Sequence, residues 1–213
     1  FMPMVFSEKD SLHYIQTLKL VKEQRVGGLI FSLGGPLEQS HWLNDFQAQS
    51  KTPLLIAMDA EWGVAMRLDS VKPFPWSMTL GAVNDSLLLR KIGQRMADQE
   101  KRLGIHYSFG PVLDINTNPN NPIIGSRSFG EDKLNVTRKS LAYLKGMQSQ
   151  GIMGSAKHFP GHGDTSTDSH KTLPIINFSS KRINNIELYP YKELINNNLS
   201  GVMVAHMEVP SLE

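Results

Sequence analysis

The feature that most restricts what this chain can fold into is a regular alternation of short, β-rich apolar segments with longer amphipathic ones. FMPMVF from Phe1, VGGLIF from Val26, PLLIAMD ending at Asp59, GIHYSFGPV from Gly104, IMGSAK from Ile152 and GVMVAH from Gly201 read as strands. Residues 10–25, 36–50, 85–103, 132–150 and 180–198 read as the helices between them. Leu12, Ile15, Leu18 and Val21 form one expected apolar stripe. Leu88, Ile92 and Met96 form another, behind Asn84, Asp85 and Ser86 as candidate caps.

Strands joined through crossover helices lie parallel, either in a doubly wound sheet or in a barrel. The connections discriminate. Loops leading into strands are minimal (Gly27, Thr52-Pro53, Gly104, Gly151, Ser200-Gly201), whereas those leaving the third, fourth and fifth strands are long and polar. Long loops on one face are what a TIM-type barrel uses to build a site. A doubly wound sheet calls for a glycine-rich phosphate loop after the first strand, and Ser7-Glu8-Lys9 is not one. The expected fold is therefore an α/β, TIM-type (β/α)8 barrel, of which residues 1–213 hold about six units.

Composition narrows the function. With 213 residues, 40% of them hydrophobic, the chain can bury a substantial core. A net charge of +2, with Lys and Arg dispersed among acids, argues against a nucleic-acid or membrane-surface partner. The absence of cysteine removes disulfides, thiolate nucleophiles and Cys-based zinc sites, and leaves the compartment undecided. No apolar run approaches the roughly eighteen residues of a membrane span, and no signal-peptide pattern is present.

On the barrel reading the strand ends gather Asp59, Glu61 and Arg67, then Asp114, Asn116 and Arg127, then Lys157, His158, Asp168 and His170, and lastly His206. Singly, each has a bland alternative: Asp114 as a turn cap, Arg127 as a tie for its own loop. Their convergence on one face weakens it. Within Lys157–His170, His158 and His162 have the spacing of a helical zinc pair, but Pro160 and Gly161 break a helix there. A loop site for metal from His158, His162, Asp164 and His170 remains the lesser alternative. In the favoured reading Asp168 and His170, two apart, point the same way from an extended backbone, so the carboxylate fixes the imidazole tautomer and tunes it for proton transfer. A dyad that merely stiffens its loop is the competing structural reading.

The run Lys157-His158-Phe159-Pro160-Gly161-His162-Gly163, followed by Asp168-Ser169-His170, resembles the signature of glycoside hydrolase family 3, in the branch of bacterial β-N-acetylglucosaminidases. Met58–Gly63 with Arg67, the Phe74-Pro75 loop, Gly110–Asn116, Arg127–Gly130 and Ala205-His206 fall in the same order. The resemblance implies a retaining hydrolase that removes terminal β-linked N-acetylglucosamine, typically from peptidoglycan fragments, with no metal or cofactor. It implies that Asp59, Arg67, Arg127, Lys157 and His158 bind sugar hydroxyls, that His170 is the acid/base and Asp168 its partner, and that His206 is a possible further site residue. The family's nucleophile is an aspartate on a seventh strand, expected beyond residue 213, and Glu208 does not fit that place. Residues 1–213 are thus expected to form a partial barrel domain that is inactive alone. Its open edges are expected to associate or to borrow the missing units. A β-glucosidase or β-xylosidase of the same family and a non-catalytic sugar-binding module are the alternatives.

Overall fold

The computed structural model describes residues 1–166 and 173–212. Six parallel strands form one sheet in chain order: β1 Met4–Val5, β2 Gly28–Phe31, β3 Leu55–Met58, β4 Tyr107–Ser108, β5 Met153–Phe159 and β6 Gly201–Val204. The order equals the sequence order, each pair being joined by a right-sized helical crossover, which is the arrangement of a TIM-type barrel. Among the described residues β1 and β6 are the sheet's two edges, so the barrel is open. Val204 on β6 and Met4 on β1 are exposed there. No helix among the described residues is long and apolar enough to cross a membrane.

Among the described residues there are seven α-helices: α1 Ser11–Lys19, α2 Pro36–Gln49, α3 Ser77–Gly81, α4 Ser86–Arg102, α5 Lys133–Gln148, α6 Ser180–Asn185 and α7 Tyr189–Ile195. Their starts follow from local chemistry. Asp10, Asp85 and Asp132 each accept hydrogen bonds from free backbone N–H groups of the first turn, at His13 for α1, Leu87 and Leu88 for α4, and Asn135 for α5. The strands are nearly continuous apolar runs because a parallel sheet is covered on both faces. Leu29, Phe31, Ile56 and Met58 are fully buried and pack in one cluster with Val5 of β1 and with Val21, Trp42 and Phe46 from the neighbouring helical segments.

Three local expectations are corrected. The helix over 180–198 is two helices, α6 and α7, because Pro190 in the first turn of α7 has no N–H to continue the preceding ladder. The stripe on α1 is rotated: Leu12 and Ile15 are exposed, while Tyr14, Thr17, Leu18 and Val21 face inward. Three-residue steps fall about 60° short of a full turn each, so Leu12 and Val21 cannot share a face. On α4 Leu88 is likewise exposed, and Leu89, Gly93, Met96, Ala97 and Glu100 make the inner face.

Glu100 is an unusual core group. It is fully buried and accepts one hydrogen bond, from Ser108 Oγ at 2.9 Å. Burial pushes its carboxyl up to about 8, offset only in part by that hydroxyl. Across the interval from its ordinary 4.5 to about 8 the folded protein keeps this proton while the unfolded chain loses it. Stability from this group is therefore complete at low pH and declines as pH rises through that window. Glu100→Gln keeps the shape and removes the titration. Melting curves between about pH 5 and pH 8 should fall less steeply for the variant than for the parent, and parallel curves would contradict the assignment.

Candidate active site

β3 ends at Met58, and Asp59 and Glu61 follow at once in a tight turn, where Gly63 N donates to Ala60 O. A single 3-10 turn over Val64–Met66 then returns the chain so that Arg67 Nη2 donates to Asp59 Oδ2 at 2.7 Å. The long loop after β4 closes on a second 3-10 turn, Gly125–Arg127, which delivers the Arg127 guanidinium. Its Nε and Nη2 donate to the two oxygens of Glu61 at 2.9 and 2.6 Å, a bidentate fork. β5 supplies the remaining parts. Its register against β6 shifts between Lys157 and Phe159, making His158 the extra residue of a bulge. A bulge re-aims side chains, and here adjacent Lys157 and His158 both reach the site.

Lys157, 2% exposed, donates to Asp59 Oδ1 at 2.6 Å and lies 2.8 Å from Glu61 Oε1. His158 Nδ1 donates to Asp114 Oδ2 at 2.6 Å, and Arg127 Nη2 stands 3.3 Å from Nε2, which fixes Nε2 as the acceptor. Asp114 is fully buried and also accepts from the backbone N of His158 and of His162, at 3.2 and 2.6 Å. It is placed by the strand-like pairing of residues 111–113 with Lys157. The cluster thus joins three carboxylates, three cations and one imidazole. These side chains, without Asp114, line a cavity of about 550 Å³ on the loop face, walled by Trp62, Met66, Phe109 and Met203.

The electrostatics decide what these groups can do. Burial alone would raise the Glu61 carboxyl, but attraction to Lys157 and the hydrogen bonds and charge of Arg127 outweigh it and hold it at about 2. Asp59 is lowered in the same way, burial being overcome by Lys157 and then Arg67. In Asp114 burial is overcome by the His158 ring and the two backbone N–H groups. All three are therefore ionised at neutral pH. They can accept hydrogen bonds from hydroxyls and cannot serve as proton donors.

The structure brings together the expected Asp59, Arg67, Arg127, Lys157 and His158. Asp168 and His170 lie outside the described residues. The start of their loop is firmly knit to the 114–121 segment: Asn121 Nδ2 donates to His162 O at 2.8 Å and Thr117 Oγ1 to Asp164 Oδ1 at 2.8 Å. Gly163 is required there, since a Cβ would meet Ile115 O at 1.8 Å. His206 is exposed after β6, and no hydrogen bond or ion pair among the described residues ties it to the cluster. Glu208 pairs through its backbone with residues 174–176. Among the described residues no group of three or more His, Asp or Glu side chains is arranged to hold a metal ion. His162 Nδ1 is engaged by Thr165 Oγ1. Sequence reasoning missed that Asp114 is the anchor of His158 and that Glu61 is the hub. The parity of Asp59 and Glu61 after a strand was the one available signal for the latter.

A parallel β/α barrel with an array of fixed charges at the ends of its strands is an enzyme domain of the TIM type. The model of the glycosyl hydrolase family 3 N-terminal domain matches residues 11–213, and the chain belongs to that family. It is 37% identical over 173 residues to beta-hexosaminidase A of Pseudoalteromonas piscicida, covering 78% of this chain and 29% of that protein. Among solved structures it is similar to a family 3 beta-N-acetylglucosaminidase from Paenibacillus sp. str. FPU-7, with 35% identity, a TM-score of 0.90, and coverage of 100% of this chain and 42% of that one. NagZ from Neisseria gonorrhoeae in complex with N-trifluoroacetyl-D-glucosamine matches with 27% identity and a TM-score of 0.87, over 100% of this chain and 65% of that one. The chain thus spans less than two thirds of each of these relatives.

Lys157 is the test of the array. Lys157→Met leaves Glu61 and Asp59 short of one cation each in a buried setting, and should cost on the order of 3 kcal/mol in denaturant unfolding. Adding Glu61→Gln should restore part of that loss. A single variant as stable as the parent would contradict the buried ion-pair account.

Proposed function

We propose that this chain is part of the catalytic barrel of a retaining, exo-acting β-N-acetylglucosaminidase acting on terminal β-linked N-acetylglucosamine, with peptidoglycan fragments as the substrate class. The observation that carries the reading is the Lys157 array. Sugar hydroxyls present both donors and acceptors, and a set of ionised carboxylates interleaved with guanidinium and ammonium groups matches both. The bound N-trifluoroacetyl-D-glucosamine in the NagZ relative and the beta-hexosaminidase name of the Pseudoalteromonas relative support the same substrate. Asp59, Arg67, Arg127, Lys157 and His158 hold the hydroxyls of the non-reducing sugar in this reading.

Because Asp59 and Glu61 are ionised and fully paired, the proton for the leaving group comes from elsewhere. We assign it to His170, oriented by Asp168 two residues earlier. In the first step an aspartate from a seventh strand beyond residue 213 attacks C1. The C1–O bond to the aglycone breaks, and the departing oxygen takes the His170 proton. In the second step water gives its proton back to His170 and its oxygen to C1, which releases the aspartate and keeps the β configuration. The seventh and eighth β/α units would cover the edges of β1 and β6.

The protein extended through those units should hydrolyse nitrophenyl N-acetyl-β-glucosaminide in clear preference to nitrophenyl β-glucoside, because the 2-acetamido group needs its own space. His170→Ala should lower the rate on an alkyl or sugar leaving group by roughly 10²- to 10⁴-fold. Preference for the glucoside would favour a β-glucosidase, and an unchanged rate in the variant would remove His170 from the mechanism.

A further inference from the structure

We infer that Trp76, backed by Trp62, is the platform on which this site receives a second sugar ring, the one that departs with the aglycone oxygen. The inference rests on the glycosidase reading above and adds the class of leaving group: a pyranoside in an equatorial chair.

The two indoles are parallel, with centroids 4.2 Å apart and an interplanar angle of 9°. Trp62 lines the main cavity beside Glu61 and Arg127. Trp76 lies immediately before α3 and lines a second depression of about 290 Å³, whose other wall is the 122–127 segment. Arg127 lines both spaces, which places the second beside the first. The Trp76 loop is also fixed in place, since Phe74 N donates to Trp62 O at 3.0 Å.

Trp76 is 42% exposed although one face of its ring rests on Trp62, so the exposure falls on the opposite face and the edges. An indole left in water forgoes the free energy of burying its apolar area, unless a ligand covers it. The ligand chemistry follows from the ring. A β-linked pyranose with equatorial hydroxyls carries its axial C–H hydrogens on one flat, apolar face, and the negative π-face of indole is complementary to those weakly positive hydrogens. The hydroxyl edge of the same sugar would meet the backbone of the 122–127 segment. Arg127 adjoins both spaces, and its Nη1 also donates to Ile123 O at 3.3 Å, tying that wall to the first-sugar site.

The test compares two substrates on the complete barrel protein: di-N-acetylchitobiose, which has a second ring, and β-N-acetylglucosaminyl fluoride, whose leaving group reaches no second subsite. Trp76→Ala should lower kcat/KM about tenfold on the disaccharide and change it by less than about twofold on the fluoride. Trp76→Phe should recover most of the loss. Equal losses on both substrates would show a general disturbance of the site, and no loss on the disaccharide would show that the ring is not seated there; either overturns the platform. If the unsubstituted protein cleaves neither substrate, the glycosidase reading itself falls and the platform with it.

Discussion

The ammonium of Lys157 sits in a place where a lone charge could not survive. It is buried near the end of β5, and the carboxylates of Asp59 and Glu61 stand within 2.8 Å of it. Those carboxylates belong to the segment after β3, and β4 lies between β3 and β5 in the sheet. The ion cluster therefore clamps two strands that are not neighbours, across a strand only two residues long. Arg127 extends the clamp to the loop after β4 through its fork on Glu61, and Asp114 extends it to the loop after β5 through His158 and His162. Three long loops that chain entropy would otherwise leave adjustable are tied to one charge-balanced cluster.

That arrangement has a chemical consequence. Groups held by several partners lose little further entropy when a ligand arrives, and their dipoles already point into the cavity. The same pairing strips them of proton-donor ability, since Glu61 is held at about 2 and Asp59 is likewise lowered. On the reading proposed above, the cluster would orient a polyhydroxylated ligand by hydrogen bonds, and proton transfer would fall to a separate group, His170.

Much of this was legible in the sequence because strands of a parallel sheet are apolar runs and their helical crossovers have a different period. The six strands, the short loops into them and the gathering of Asp59, Arg67, Arg127, Lys157 and His158 all follow from that. What was not legible depended on tertiary choices. The rotation of α1 that exposes Leu12 is set by packing of Tyr14 against Trp42 and Phe46. The break between α6 and α7 was marked by Pro190 but hidden by good helix formers around it. Asp114 looked like a turn residue because nothing local reveals that residues 111–113 pair with Lys157 and bring it beneath His158. Asp168 and His170, the residues with the most specific sequence signal, fall outside the described residues.

The most direct test of the central claim is a crystal structure of the protein with N-acetylglucosamine. The account predicts the ring in the cavity bounded by Trp62 and Met203, its hydroxyls within hydrogen-bonding distance of Asp59, Arg67, Lys157 and His158, with the Lys157 ion pairs intact. A sugar bound away from these side chains, or one that enters only by breaking the Lys157 pairs, would contradict it.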